Sequence, residues 1–340
     1  MRLKLWLLII CLCGLFLTSS QAEIIKKGQV GFRFLENPVG ADAIGRGGLG
    51  VAATSNSNAV FWNPAGIAWI EGRYDINANL TKGIADINHA SLVAAMAIND
   101  ICVVAVDALV MDYGEFYGTR RSSADAGYDE TGTFTPQSYA IGLSFSQRVS
   151  DRFSYGVHLK YAHQDLGSAW IGTAGTDVDD PALIMDTKHY AHSEPAIDIG
   201  AVYDFLSHGI RFGAVIQNFS REIKYEQEKF PLPFAVSFSL MADPFSFFPS
   251  IDKKHAMMVG FESRHPRDFK EKIKFGAEYT YFERYILRLG YMTQYDERGL
   301  CFGLGVCLPE TKNRYRFDYA FENFGILGAV HILTFGVGLN

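Results

Sequence analysis

The sequence predicts an all-β protein, a 14-stranded antiparallel transmembrane β-barrel with an N-terminal hatch or plug. Three observations carry this: an unusual pairing of composition and hydropathy, repeated two-residue alternation, and the sorting of short and long connections. Aromatics make up 14% of the 340 residues, with 26 Phe and 17 Tyr. Mean hydropathy is nevertheless only +0.04. A helical membrane protein would be far more apolar, and a soluble enzyme seldom carries so many aromatics. The net charge of −6 argues against a polybasic surface, so no nucleic acid is expected as partner. The 48% hydrophobic share excludes a mainly disordered chain.

Residues 1–22 read as a secretory signal. Arg2 and Lys4 form a positive start, Leu5 to Leu17 an apolar run, and Ser20-Gln21-Ala22 a small-residue cleavage site. A membrane anchor needs ~20 apolar residues, and this run is shorter. Removing 22 residues and two cations from a 340-residue chain of charge −6 leaves 318 residues and charge −8. Cys102, Cys301 and Cys307 remain, an odd number that makes no disulfide framework.

The longest later apolar stretch, Ala90 to Met111, contains Asn99, Asp100 and Asp107. An Asp near the centre of a membrane helix costs ~2.5–3.5 kcal/mol. A hairpin turning at Asn99-Asp100 fits better. Alternation then recurs along the chain. Tyr285, Leu287, Leu289 and Tyr291 oppose Arg284, Arg288 and Gly290. Ile273, Phe275, Ala277, Tyr279 and Tyr281 oppose Lys272, Lys274, Gly276, Glu278 and Thr280. Tyr315, Phe317, Tyr319 and Phe321 oppose Arg314, Arg316 and Asp318. Tyr139, Ile141, Leu143 and Phe145 oppose Ser138, Ser144 and Ser146. Successive strand side chains point to opposite faces, so one face is apolar and aromatic while the other is polar or small. A soluble sandwich also alternates. Interfacial Tyr and Phe on the apolar faces and a small, charged opposite face favour a barrel in lipid.

The expected strands are 73–80, 88–98, 101–111, 137–149, 152–164, 194–204, 209–217, 233–242, 255–264, 270–282, 284–295, 299–307, 313–321 and 328–339. Fourteen is an even number, as bacterial barrels have. If the first strand runs outward, the short connections at 99–100, 150–151, 205–208 and 283–284 fall in the periplasm. The long ones, 112–136, 165–193 and 218–232, fall outside. The exception is 243–254, a longish connection that parity places in the periplasm. The chain thus divides into a signal (1–22), an N-terminal hatch (23–72) and a transmembrane barrel (73–340). The expected location is the cell outer membrane, with its lipid as first partner.

Several motifs lead elsewhere only superficially. Gly45, Gly47 and Gly50 match G-x-G-x-x-G, but no strand precedes them and Asn63-Pro64 breaks a following helix. Asp177, Asp179 and Asp180 lack the EF-hand spacing and read as a solvated loop. The nine His are scattered without metal-ligand spacing. No Ser, His and orienting group share a face, so neither enzyme activity nor a cofactor or metal is expected. Lys272, Lys274, Glu278, Arg288, Arg314, Arg316 and Asp318 face the lumen on neighbouring strands. They form either a self-neutralising ladder or, at Lys274, Arg288 and Arg316, a seat for an anionic head group.

The stretch from Gly40 to Ala68, GADAIGRGGLGVAATSNSNAVFWNPAGIA, resembles the opening of the PorV/PorQ family of outer-membrane barrels. That family shows a G-A-R-A-x-G-M-G-G stretch and then W-N-P-A-G-L. Ile216-Gln217-Asn218, Pro231-Leu232-Pro233, Gly276-Ala277-Glu278-Tyr279 and Phe317-Asp318-Tyr319-Ala320 extend the match in order. Asn63, Pro64, Ala65 and Gly66 also look like the hatch element of the related FadL-type fatty-acid transporters, and FadL-like spirochaete barrels look similar too. Two departures stand out: Asp42 where the family often has Arg, and a terminus of Leu339-Asn340 rather than an aromatic. The resemblance implies one of two roles. FadL-like members pass hydrophobic molecules such as long-chain fatty acids without energy input. PorV-like members act in type IX secretion and receive cargo from a translocon. The first is the leading expectation, with a hydrophobic small-molecule ligand drawn toward the hatch; the second is its alternative, with secretion cargo or translocon as partner.

Overall fold

The structure, a computed structural model, describes residues 29–340 except 123–124, 175–183, 249 and 311–312. The expected signal (1–22), the first residues of the expected hatch (23–28) and the acidic triplet Asp177, Asp179 and Asp180 lie outside the described residues. In chain order the strands are β1 (Tyr74–Lys82), β2 (Asn88–Ala97), β3 (Cys102–Asp112), β4 (Phe116–Arg121), β5 (Tyr128–Phe134) and β6 (Gln137–Arg148). There follow β7 (Phe153–Ala174), β8 (Ile184–Asp204), β9 (Arg211–Phe219), β10 (Ile223–Lys224), β11 (Lys229–Phe230) and β12 (Ala235–Ala242). The last six are β13 (His255–Pro266), β14 (Lys272–Tyr281), β15 (Tyr285–Thr293), β16 (Leu300–Pro309), β17 (Asn313–Asn323) and β18 (Ala329–Leu339).

Fourteen of these close into one barrel, each strand antiparallel to its neighbours, with β1 paired to β18 from Tyr74↔Leu339 to Lys82↔His331. β4–β5 and β10–β11 are separate two-stranded hairpins within the long external connections. No helix of the described residues is long and apolar enough to cross a membrane; the crossing is made by strands.

The alternation that predicts the strands also orients them. Leu80, Leu289, Phe317 and Leu333 are exposed on the outer face. Asp75, Asn77, Asn79, Ser138, Ser144 and Ser146 are buried on the inner one. At the end that holds residues 73 and 340 the connections are tight. Asn99 Oδ1 accepts from the amides of Ile101 (3.0 Å) and Cys102 (2.8 Å), which sets the β2–β3 turn. Phe282 and Glu283 both have positive φ (54° and 55°) in the three-residue connection 282–284, and the Arg284 amide donates to the Tyr281 carbonyl at 3.1 Å to close the turn.

One stretch departs from expectation. Residues 165–193, read as a loop, contain the continuation of β7 to Ala174 and the beginning of β8 at Ile184. The pair rises past the bilayer as a ribbon, with register shifts between Asp165 and Ser168 and between Gly172 and Ala174. Above the membrane no lipid faces the ribbon, and the side that carries Lys188, Tyr190 and His192 meets the polar and aromatic side chains Tyr225 and Glu226, so no apolar period marks it. Lys188 and Tyr190 of this ribbon both reach Glu226 in the next external connection, at 2.5 and 2.6 Å.

Residues 29–72 fill the lumen. A short helix, α1 (Ala41–Gly45), is followed by 3₁₀ turns at Ser57–Phe61 and Pro64–Trp69. Ala59, Val60 and Ile67 pack on Val93, Ala95, Val103 and Ala105 of β2 and β3. Ala41, Ala43, Ile44 and Trp62 pack on Ala320, Val330 and Ile332 of β17 and β18. The small wall side chains leave room for a plug where larger ones would close the space themselves.

Candidate functional site

Asn63, Pro64, Ala65 and Gly66 sit where this plug meets the wall. The Asn63 carboxamide has two jobs. Its Oδ1 accepts from the Ala65 amide at 3.1 Å, capping the 3₁₀ turn that Pro64 begins. Its Nδ2 donates to the carbonyls of Val51 (2.8 Å) in the plug and Ala201 (3.1 Å) in β8. Aspartate could do the first but not the second. The Ala65 carbonyl accepts from Ser154 Oγ at 2.9 Å. Beneath the turn lie Gly156 and Gly200, paired across β7 and β8. A Cβ on Gly156 would stand 2.5 Å from the Pro64 carbonyl carbon, and one on Gly200 would stand 1.9 Å from Asn63 Oδ1.

A second bare patch receives the glycine-rich stretch. Gly276 and Gly290 are partners across β14 and β15. A Cβ on Gly276 would stand 2.1 Å from the Arg46 carbonyl oxygen. Gly47, with φ of 74°, turns the chain here in the left-handed region that suits glycine. The G-x-G-x-x-G match thus marks backbone laid flat on a sheet.

Charge fixes the plug between these seats. Arg46 reaches Glu278 at 2.7 Å, and Glu278 also takes Arg288 at 2.6 Å. Arg288 reaches Asp318 at 2.5 Å. Lys274 pairs with Glu262 at 2.8 Å and donates to the Gly48 carbonyl at 3.0 Å. The other Glu262 oxygen accepts from the amides of Gly50 and Val51. Arg316 pairs with Asp75 at 2.6 Å, and Asp75 also accepts from the Ser57 amide at 2.8 Å. Asp42, where the family often has Arg, lies 3.5 Å from Arg46 and accepts from Asn56 at 3.2 Å.

Lys274, Arg288 and Arg316, the head-group candidates read from sequence, therefore face the lumen as expected but already hold carboxylates. Lys274 and Arg288 are buried, each 5% exposed. Parity tells which side chain turns inward; it does not tell that Glu262, Asp75 and the plug backbone will meet it there. Desolvated charges of this kind are costly unless each is matched, and here each is.

Cations with a different setting lie at the external mouth. A cleft of about 470 Å³ opens between the plug segment Arg33–Pro38 and the outer ends of the wall strands. Ile84, Ile87, Met111, Phe324, Val330 and Ile332 give it an apolar side, and Arg33, Arg264, Lys272 and Arg298 a basic one. Arg33 pairs with Asp268 (2.6 Å), Arg264 with Glu36 (3.3 Å) and Arg298 with Glu322 (2.9 Å). The Lys272 ammonium instead lies over the rings of Phe269 and Tyr295, at 4.6 and 4.3 Å, and has no carboxylate partner among the described residues. Arg298 stacks on Tyr295 and Phe324 at 5.7 and 4.7 Å. Lys272 was legible as the outermost member of the lumen ladder. Arg33 and Arg298 lie outside the regular strands and carried no periodic signal.

A closed, plugged barrel with an aromatic, apolar outer face and a charged lumen is an outer-membrane barrel. The family described as "Type IX secretion system protein PorV" matches residues 20–262, more than half of the chain. The chain belongs to the PorV family. No curated protein matches it. Among solved structures it is similar to the toluene transporter TbuX of Ralstonia pickettii, at 12% identity and a TM-score of 0.58, over 88% of this chain and 98% of that one. It is similar to a FadL homologue of Pseudomonas aeruginosa, at 12% identity and 0.55, with the same coverage. It is also similar to the toluene transporter TodX of Pseudomonas putida, at 11% identity and 0.55, over 88% and 96%. At these identities the likeness is one of fold, and it agrees with the FadL relationship expected from the Asn63-Pro64-Ala65 element.

Proposed function

We propose that this barrel binds an amphipathic hydrophobic molecule, of the long-chain fatty-acid kind, at the external cleft and passes it inward when the plug of residues 23–72 shifts. The observation that carries the reading is the juxtaposition of the Lys272 ammonium, which lies over aromatic rings and makes no direct ion pair among the described residues, with an apolar wall. An anionic head group would meet Lys272 and the edge of Arg298, and an acyl chain would lie along Ile84, Ile87 and Ile332. Lys274, Arg288 and Arg316 then serve the plug and come into play only if it moves. The toluene transporters TbuX and TodX, named for small hydrophobic cargo, support passage of this kind through the same fold. The barrel is assigned no catalytic step. Uptake of labelled oleate by a deletion strain tests the proposal: reduced uptake, restored by the intact gene, is expected, and unchanged uptake sinks it.

The family match favours a second reading, in which the barrel receives cargo of type IX secretion. The external ribbon of β7 and β8 and the β4–β5 hairpin lie beyond the barrel strands, where such a partner would meet them. Loss of secreted cargo from the same strain, with normal oleate uptake, would select this reading over the first.

A further inference from the structure

The β12–β13 connection, residues 243–254, is longer than its neighbours at the periplasmic end, and its first described residues, 243–248, bend away from the lumen. Asp243 Oδ1 accepts from the Phe245 amide at 2.8 Å and caps the 3₁₀ turn Pro244–Phe247. That turn aims Phe245 at Tyr279, with ring centroids 6.4 Å apart and nearly perpendicular. Tyr279 has the parity of Phe275 and Tyr281, which are exposed on the outer face. The turn therefore folds against the outside of the wall. Phe247 stacks on His208 of the adjacent connection, centroids 3.9 Å apart at 12°, and the Asp243 amide donates to the His208 carbonyl at 2.9 Å. The two connections are thus held as one ledge. It presents Phe247 (51% exposed), Phe248 (59%), Phe205 (48%) and Leu206 (58%).

We propose that this ledge is an interfacial anchor, seated in the periplasmic leaflet of the outer membrane, with phospholipid as its occupant. Continuity argues for lipid over protein. Phe205 packs on Tyr203 (4.9 Å) and Phe282 on Tyr281 (4.5 Å), so the ledge extends an aromatic belt that already lies on the lipid-facing wall. Aromatic rings gather at the boundary between acyl chains and head groups because one part of that layer is apolar and the other wet. Lys254 leans over the Phe282 ring at 5.2 Å and pairs with Asp252 at 3.4 Å, which leaves exposed Lys253 to set surplus positive charge beside the rings, suited to anionic head groups. A periplasmic connection with no lumen to cover gains a use in this way.

The test is Phe248→Trp in the full-length barrel, reconstituted into vesicles of phosphatidylethanolamine and phosphatidylglycerol, read as the difference in emission from the unsubstituted protein. Lipids brominated near the glycerol end should quench the added emission strongly, and lipids brominated near the chain terminus less so. Quenching by aqueous acrylamide but by neither lipid would overturn the proposal. So would resistance to all three quenchers that varies with the protein-to-lipid ratio, which would assign the ledge to a second copy. Phe205→Trp gives the same readout should the first variant fail to show a folded barrel's heat-modifiable mobility.

Discussion

Gly290 of the wall lies directly beneath Gly47 of the plug: a Cβ on Gly290 would stand 1.9 Å from the Gly47 amide nitrogen. Neither backbone can yield easily, since one belongs to a sheet ladder and the other to a turn with positive φ. Gly290→Val should unseat the plug while leaving the barrel, whose strands tolerate valine well. Single-channel conductance in planar bilayers should rise from near zero to steps of a leaky pore. A closed Gly290→Val barrel would show that the plug does not depend on this seat.

Glu262 couples a buried cation to the plug backbone. Glu262→Gln keeps the shape but leaves the Lys274 ammonium uncompensated and weakens the contacts to the Gly50 and Val51 amides. Breaking a buried pair in this way costs about 3–5 kcal/mol. The thermal midpoint of the reconstituted barrel should fall, and Lys274→Met with Glu262→Gln should recover much of the loss.

Lys272 and Lys274 are two residues apart on one face of β14 and have opposite expected behaviour. Lys272→Gln should weaken oleate binding about tenfold, the worth of one charge-assisted contact near 1.4 kcal/mol. Lys274→Gln should leave oleate affinity unchanged, because its ammonium is occupied by Glu262. Titration of oleate into the purified variants separates them.

The ribbon of β7 and β8 should loosen on acidification. The Glu226 carboxyl is held below its ordinary value, first by the hydrogen bond from Lys188 and then by that from Tyr190. A carboxylate depressed in the folded state stabilises fully above its ordinary pKa of about 4.3 and loses that contribution as pH falls through the lower value. The tie should therefore hold at neutral pH and at the ordinary carboxylate pKa, and fail only below it. Spin-label distances between the ribbon and the Glu226 connection, followed on acidification, should broaden in that lower range. Because the groups are exposed, high salt should broaden them at neutral pH as well.

The parts of the fold legible in sequence were those with a period. Tyr285 to Tyr291 against Arg288 and Gly290 gave both a strand and its orientation, because lipid and lumen demand opposite chemistry from adjacent residues. The ribbon at 186–193 had no such demand, with no lipid on either face and only the polar and aromatic Tyr225 and Glu226 against one of them, and so carried no mark. The Asn63-Pro64-Ala65-Gly66 element was legible as a motif, but its meaning depended on Gly156 and Gly200, more than ninety residues away. For Lys274, Arg288 and Arg316, inward parity was readable and occupancy was not. Their partners Glu262, Asp318 and Asp75 lie on other strands, and register decides who meets whom.

The strand that follows the plug, β1, is also the strand that the last one, β18, must find. Asn79 is held there from both sides: its amide donates to Asn58 of the plug at 2.8 Å, and its oxygen accepts from Thr334 of β18 at 2.6 Å. Thr334 Oγ1 in turn accepts from the Ala41 amide of the plug at 2.8 Å. The ring and its stopper are thus stitched through the same few atoms. A chain whose stopper were missing would have to complete its circle across a seam of unanswered polar groups.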